Sequence, residues 1–72
     1  MKKLDLSGLK CPLPVLRTRK ALLRLSPGDQ LQVVCTDLLA TIDIPNLIRE
    51  TGDVLEQQAH DGHQLIFRIR KG

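Results

Sequence analysis

The run Cys11-Pro12-Leu13-Pro14 is the part of this 72-residue chain best suited to covalent chemistry. Proline is favoured at the first position of a helix, where its missing N–H is not needed. Pro12 at N1 therefore predicts Cys11 as the N-cap, with its sulfur at the positive end of the helix dipole. Such a place favours the thiolate, which is the nucleophilic form. A free thiol titrates near about 8.5, and a helix N-terminus with nearby cations brings it down to roughly 3.5–7.5. A capping side chain ordinarily accepts from the amide of N2 or N3; Pro14 has none, which leaves the Leu13 amide as the expected donor. Lys10 before the thiol and Arg17 and Lys20 after it add positive charge. The plainer alternative is a cysteine that happens to precede a helix begun by proline, where Ser or Asp would cap better.

Other thiol chemistries lack their partners. A hydrolase wants a histidine base beside the nucleophile and an acid to orient it, and nothing near Cys11 in the chain supplies them. There is no Cys-x-x-Cys for dithiol redox work and no Gly-rich phosphate loop. His60 and His63 flank a turn, and neither cysteine has metal-ligand spacing to them, so no metal and no cofactor are expected. A single activated thiol, on a protein too small for a deep pocket, suits a carrier. Its thiolate would attack the outer sulfur of a donor persulfide, and the donor cysteine would leave.

The elements that must position this thiol can be read from periodicity. Lys2 to Leu6 alternates, with Leu4 and Leu6 inward, and predicts a first strand; Ser7 to Lys10 is a short loop. A helix is expected from Pro12 to Leu25, stopped by Ser26-Pro27-Gly28. At about 100° per residue, Val15, Leu22 and Leu25 share a side widened by Leu16 and Leu23, opposite Arg17, Lys20 and Arg24. Arg19 falls on the apolar side. It either snorkels at the edge or lies over the same side as Cys11 and meets a carboxylate or incoming anion.

Gln30 to Thr36 predicts a second strand with Leu31, Val33 and Cys35 on one face, which makes Cys35 a small buried hydrophobe. Its alternative role is a resolving thiol for Cys11, which needs the two Cα atoms within about 7 Å. Asp37 to Thr41 is a loop in which Asp37 or Thr41 can cap a second helix from Ile42 to Thr51, with Gly52 at C′. Ile44, Leu47 and Ile48 form its apolar stripe, and Asp43 complements its dipole. Asp53 to Ala59 and His63 to Arg70 form a hairpin. A three-residue loop His60-Asp61-Gly62 with a bulge at Gly62 is preferred over a two-residue Asp-Gly loop, because it pairs Leu55 with Phe67.

The order is thus β-α-β-α-β-β, an α+β two-layer sandwich with a four-stranded mixed sheet and both helices on one face. The other face, with Gln32, Gln64, Arg68 and Arg70, is left to solvent or a partner. Seventy-two residues make one domain, residues 1–72, with no room for a second core. The charge of +3 is mildly basic, but a single Phe and no Tyr or Trp argue against direct nucleic-acid binding. A basic face that docks an acidic protein is the better use of that charge. No apolar run approaches a membrane span, Lys2-Lys3 leads straight into a strand, and a reduced cytoplasmic setting is expected.

With these landmarks in order, Leu4-Asp5-Leu6-Ser7-Gly8-Leu9, Cys11-Pro12-Leu13-Pro14, Pro27-Gly28-Asp29, Asp37 and Asp43-Ile44-Pro45, the chain resembles the TusA/SirA family of small sulfur-carrier proteins. The likeness runs from about Leu4 to Lys71. Leu38 stands where many members have Pro, and Gly52-Asp53 replaces a common Gly-His. The resemblance implies a two-layer fold and a cysteine that carries sulfane sulfur as a persulfide. Carried over residue by residue, Cys11 is the carrier and Pro12 and Pro14 position it, with Leu13 between them. Charge alone makes Lys10, Arg17 and Lys20 the partner-binding candidates. The partners expected are a cysteine desulfurase or other persulfide donor and a downstream acceptor, feeding tRNA thiolation, a cofactor or sulfur oxidation. Whether such a carrier counts as an enzyme stays open here, as do two alternatives: a redox-sensing thiol and a non-catalytic RNA-binding or regulatory module.

Overall fold

The computed structural model describes residues 1–72. In chain order the elements are β1 (Lys2–Leu6), α1 (Leu13–Leu23), β2 (Gln30–Cys35), α2 (Ala40–Thr51), β3 (Val54–Asp61) and β4 (Gln64–Arg70). The strands lie in the order β1-β2-β4-β3, with β1 parallel to β2 and the other two pairs antiparallel. A parallel pair cannot be closed by a tight turn, so α1 is the crossover between β1 and β2.

Register explains why one face of the sheet is sealed. Leu31 faces Ile69, Val33 faces Phe67 and Cys35 faces Leu65 across β2 and β4, and Leu6 of β1 lies beside Cys35. These side chains form one buried cluster with Leu22 of α1 and Ala40, Ile44 and Ile48 of α2. Both helices therefore cover the same face. Residues of opposite parity, including Gln32 opposite Arg68 and Val34 opposite Ile66, form the uncovered face and are only half-buried.

Three local expectations are corrected. In α1 the buried ridge is Pro14, Thr18 and Leu22, at i, i+4 and i+8, flanked by half-buried Val15, Ala21 and Leu25. Leu16 and Leu23 are 53% and 76% exposed. The cause is rotation: Thr18, not an aliphatic side chain, sits at the centre of the packed stripe, and at about 100° per residue Leu16 and Leu23 fall roughly 160° and 140° away from it and turn outward. The second helix begins at Ala40, two residues before the expected Ile42. Its opening turn is tied by Ala40, Thr41 and Ile42 amides to the carbonyls of Asp37, Leu38 and Leu39. Gly52 ends it in the left-handed conformation at φ 78°, as its lack of Cβ allows.

The hairpin takes neither of the registers weighed from sequence. Asp61 pairs with Gln64, so the loop is Gly62-His63, with Gly62 at φ 60° in the first central place that a type II′ turn reserves for glycine. The irregularity lies instead inside β3, between Leu55 and Gln57. It brings Leu55 opposite Ile69 on the core side, while Gln57 pairs with Arg68 and Gln58 with Phe67. Gln58 and His60 thus share the core-side parity but remain exposed on the outermost strand.

Candidate functional site

Parallel β1 and β2 end side by side at Leu6 and Cys35, so the loops that follow them are neighbours. Two hydrogen bonds join those loops. The Gly8 amide donates to Thr36 Oγ1 at 2.8 Å, and the Cys11 amide donates to Asp37 Oδ2 at 2.7 Å. Asp37 also accepts the Leu39 amide through Oδ1 at 3.1 Å, so one carboxylate fixes both the cysteine backbone and the entry to α2. These bonds, the two amides contributing most, hold the Asp37 carboxyl below the usual carboxylate range, with a smaller push from the charge of Lys10.

Cys11 is not the N-cap of α1. Pro12 occupies that place at φ −95° and ψ 10°, Leu13 is the first helical residue, and no side chain caps the helix. The Leu13 amide, expected to serve the sulfur, donates instead to the Lys10 carbonyl at 2.9 Å. The Cys11–Pro12 peptide bond is cis. Cys11 is exposed, one residue before the N-cap.

The sulfur's nearest polar partner is anionic. Cys11 Sγ donates to Asp43 Oδ2 at 3.1 Å, from the opening turn and a half of α2. This bond pushes the thiol's pKa up, helped by desolvation and by the charges of Asp43 and Asp37. The expectation of a thiolate favoured by the dipole is overturned for a simple reason: the carboxylate is in contact, whereas the helix amides are turned to other acceptors.

Around the thiol is an open cleft of about 380 Å³ between the two helices, in which Cys11, Pro12 and Asp43 face Arg19, Asn46 and Glu50. Arg19 reaches Glu50 Oε2 at 3.6 Å, with both side chains well exposed. It therefore lies over the same side as Cys11 and meets a carboxylate. On the far side of α1 a second groove, of about 590 Å³, has Leu4, Leu13 and Leu16 in its walls and the cations Lys2, Arg17, Lys20 and Arg24 around them.

The sequence candidates are thus distributed over distinct places. Cys11 and Pro12 share the cleft, Leu13, Arg17 and Lys20 share the basic groove, Pro14 is on the buried face of α1, and Lys10 lines a third hollow with Thr36, Asp37 and Leu38. Sequence reasoning missed the contact of Asp43 with the thiol and the anchoring role of Asp37. The available signal was topological: a β-α-β unit with parallel strands puts the residues after Cys35 beside those after Leu6. Cys35 itself is fully buried, and burial, with a lesser push from Asp37, lifts its thiol to about 11.

Fold and site together define a small two-layer α+β protein that presents one exposed cysteine where its two parallel strands end. A family model described as sulfurtransferase TusA matches residues 2–71, and the chain belongs to that family. The sulfur carrier protein TusA of Allochromatium vinosum is 39% identical over 69 residues, covering 96% of this chain and 91% of that protein. The putative sulfur carrier protein YrkI of Bacillus subtilis is 41% identical over 71 residues, or 99% and 95% of the two chains. The crystal structure of a SirA-like protein from Desulfitobacterium hafniense has the same fold, at a TM-score of 0.87 and 24% identity, covering 100% of this chain and 99% of that one.

Proposed function

We propose that this protein is a sulfur carrier that takes up sulfane sulfur as a persulfide on Cys11 and hands it to an acceptor protein. The observation that supports it most is the contrast in access: Cys11 lies in an open cleft, whereas Cys35 has no exposed surface. Uptake forms a bond from Cys11 Sγ to the outer sulfur of the donor persulfide and breaks the donor's S–S bond, so the donor cysteine leaves as a thiol. Pro12 in the cleft wall, the Leu13 amide tied to Lys10 and buried Pro14 hold the loop that carries the thiol.

The cleft is too open to enclose a small substrate, so selectivity falls to protein docking. A cysteine desulfurase or other persulfide donor and a downstream acceptor are the partners this reading requires. The groove with Arg17 and Lys20 suits an acidic surface on one of them, and Lys10 flanks the thiol loop on the side nearest Asp37. No helix is long and apolar enough to cross a membrane. The reducing cytoplasm, where an exposed thiol stays unpaired, is the setting we assign.

The test is loading. Incubation with a cysteine desulfurase and cysteine should add one reductant-labile sulfur atom to the wild type, read by intact mass. Cys11→Ser should gain none, because a hydroxyl cannot hold sulfane sulfur. Equal loading of the two proteins would remove Cys11 from the role.

A further inference from the structure

A carrier thiol held as S–H needs somewhere to send its proton at the moment it attacks. Asp43 is the one carboxylate in contact with the sulfur, at 3.1 Å, within the reach of direct proton transfer. It is half-buried, and it stands on the rigid α2 whose Ile44, Leu47 and Ile48 are locked in the core. The other charged groups facing the thiol are otherwise occupied. Asp37, from the loop after β2, spends both oxygens on the amides of Cys11 and Leu39; Arg19 of α1 is bridged to Glu50 of α2 across the cleft; Lys10 lines a separate hollow with Thr36, Asp37 and Leu38. Asp43 alone keeps its carboxylate directed at the reacting sulfur.

We propose that Asp43 is the proton relay of sulfur transfer at Cys11. The inference rests on the sulfur-carrier reading. As Cys11 Sγ bonds to the outer sulfur of a protonated donor persulfide, its S–H proton passes to Asp43 Oδ2. The donor S–S bond breaks, its electron pair stays on the donor sulfur, and that departing thiolate takes the proton from Asp43. Cys11 is left as Cys–S–SH and the donor as a thiol, so no oxidant or reductant is consumed. Reversing the steps delivers the sulfur to an acceptor thiol. Between transfers the same hydrogen bond lowers the thiolate fraction further, which shields an exposed thiol from adventitious electrophiles.

This dual role gives Asp43→Asn two effects of opposite sign. Loss of the negative charge should lower the pH midpoint of Cys11 alkylation by iodoacetamide and speed alkylation several-fold at neutral pH. Single-turnover sulfur uptake from a persulfidated cysteine desulfurase should nevertheless slow by roughly tenfold or more, within the range for loss of a general acid–base group. Asp43→Glu, which keeps the carboxylate on a longer arm, should recover part of the uptake rate. If wild type loads and Asp43→Asn loads as fast or faster, the relay is wrong while the carrier reading stands. An alkylation midpoint unmoved by Asp43→Asn would equally overturn it. A wild type that takes no sulfur from any persulfide donor fails the carrier reading itself.

Discussion

Cys11 and Cys35 are both thiols whose ionisation is held back, and the two are held back by opposite means. At Cys35 the largest cause is burial: the sulfur lies opposite Leu65 and beside Leu6 with no exposed surface, and its pKa reaches about 11. At Cys11 the largest cause is a hydrogen bond to Asp43, on a side chain open to solvent. A raised thiol pKa therefore does not by itself mark an inert cysteine. Burial removes every attacker and every base together. A carboxylate in contact raises the pKa by its charge but also supplies the acceptor through which the proton can leave, and the difference between the two sites is reversible restraint against permanent exclusion.

The comparison can be pressed on the core side first, where the largest effect on stability is expected. Cys35→Ser places a hydroxyl between apolar strands without an acceptor, and should cost roughly 1–3 kcal/mol. On a chain of this size each kcal/mol lowers the melting temperature by about 4–8 °C. Sulfur loading of the folded variant should persist. A melting temperature equal to wild type would mean that this thiol is not sealed as the structure places it.

The titration of Cys35 should come next in size. A thiol whose folded pKa exceeds its unfolded value contributes stability that is complete below the unfolded pKa and disappears as pH rises through the folded one. For Cys35 the window runs from about 9 to about 11. Denaturant melts across it should show a loss on the order of 2–3 kcal/mol that Cys35→Val lacks. Parallel pH profiles for the two proteins would assign the loss to other groups.

Smaller still are the effects of the surface charges carried by α1. Reversing Arg17 and Lys20 to Glu should slow transfer from or to an acidic partner several-fold and weaken its salt dependence, with the melting temperature nearly unchanged because both side chains are exposed. Rates equal to wild type at low salt would take this groove out of the account. Arg19→Gln breaks an ion pair whose two side chains are 49% and 69% exposed, and should cost less than about 1 kcal/mol by denaturant melts.

The contrast also shows what a sequence can disclose. Alternation of Leu31, Val33 and Cys35 was enough to put Cys35 inside, because burial on a strand follows from a period of two. Element order and the single covered sheet face followed from the same patterns. The chemistry at Cys11 was less legible. The dipole argument used residues adjacent in the chain, but the helix starts at Leu13 and its first amides bond to Lys10 and Pro12 carbonyls. The group that governs the thiol, Asp43, is 32 residues away and arrives through β2 and α2 packing. The β3–β4 register failed for a related reason: the irregularity chosen for the turn lies mid-strand, where neither Glu56 nor Gln57 carries a turn signature.

The central claim is that transferred sulfur resides on Cys11 and nowhere else in the chain, and it can be read in a single wild-type sample. After loading from a cysteine desulfurase, the protein should be alkylated in the native state, digested, and its two cysteine peptides compared by mass spectrometry. The account predicts the extra sulfur on the peptide containing Cys11 and an unmodified Cys35. Extra sulfur on the Cys35 peptide, with Cys11 recovered as a plain thiol, would contradict it.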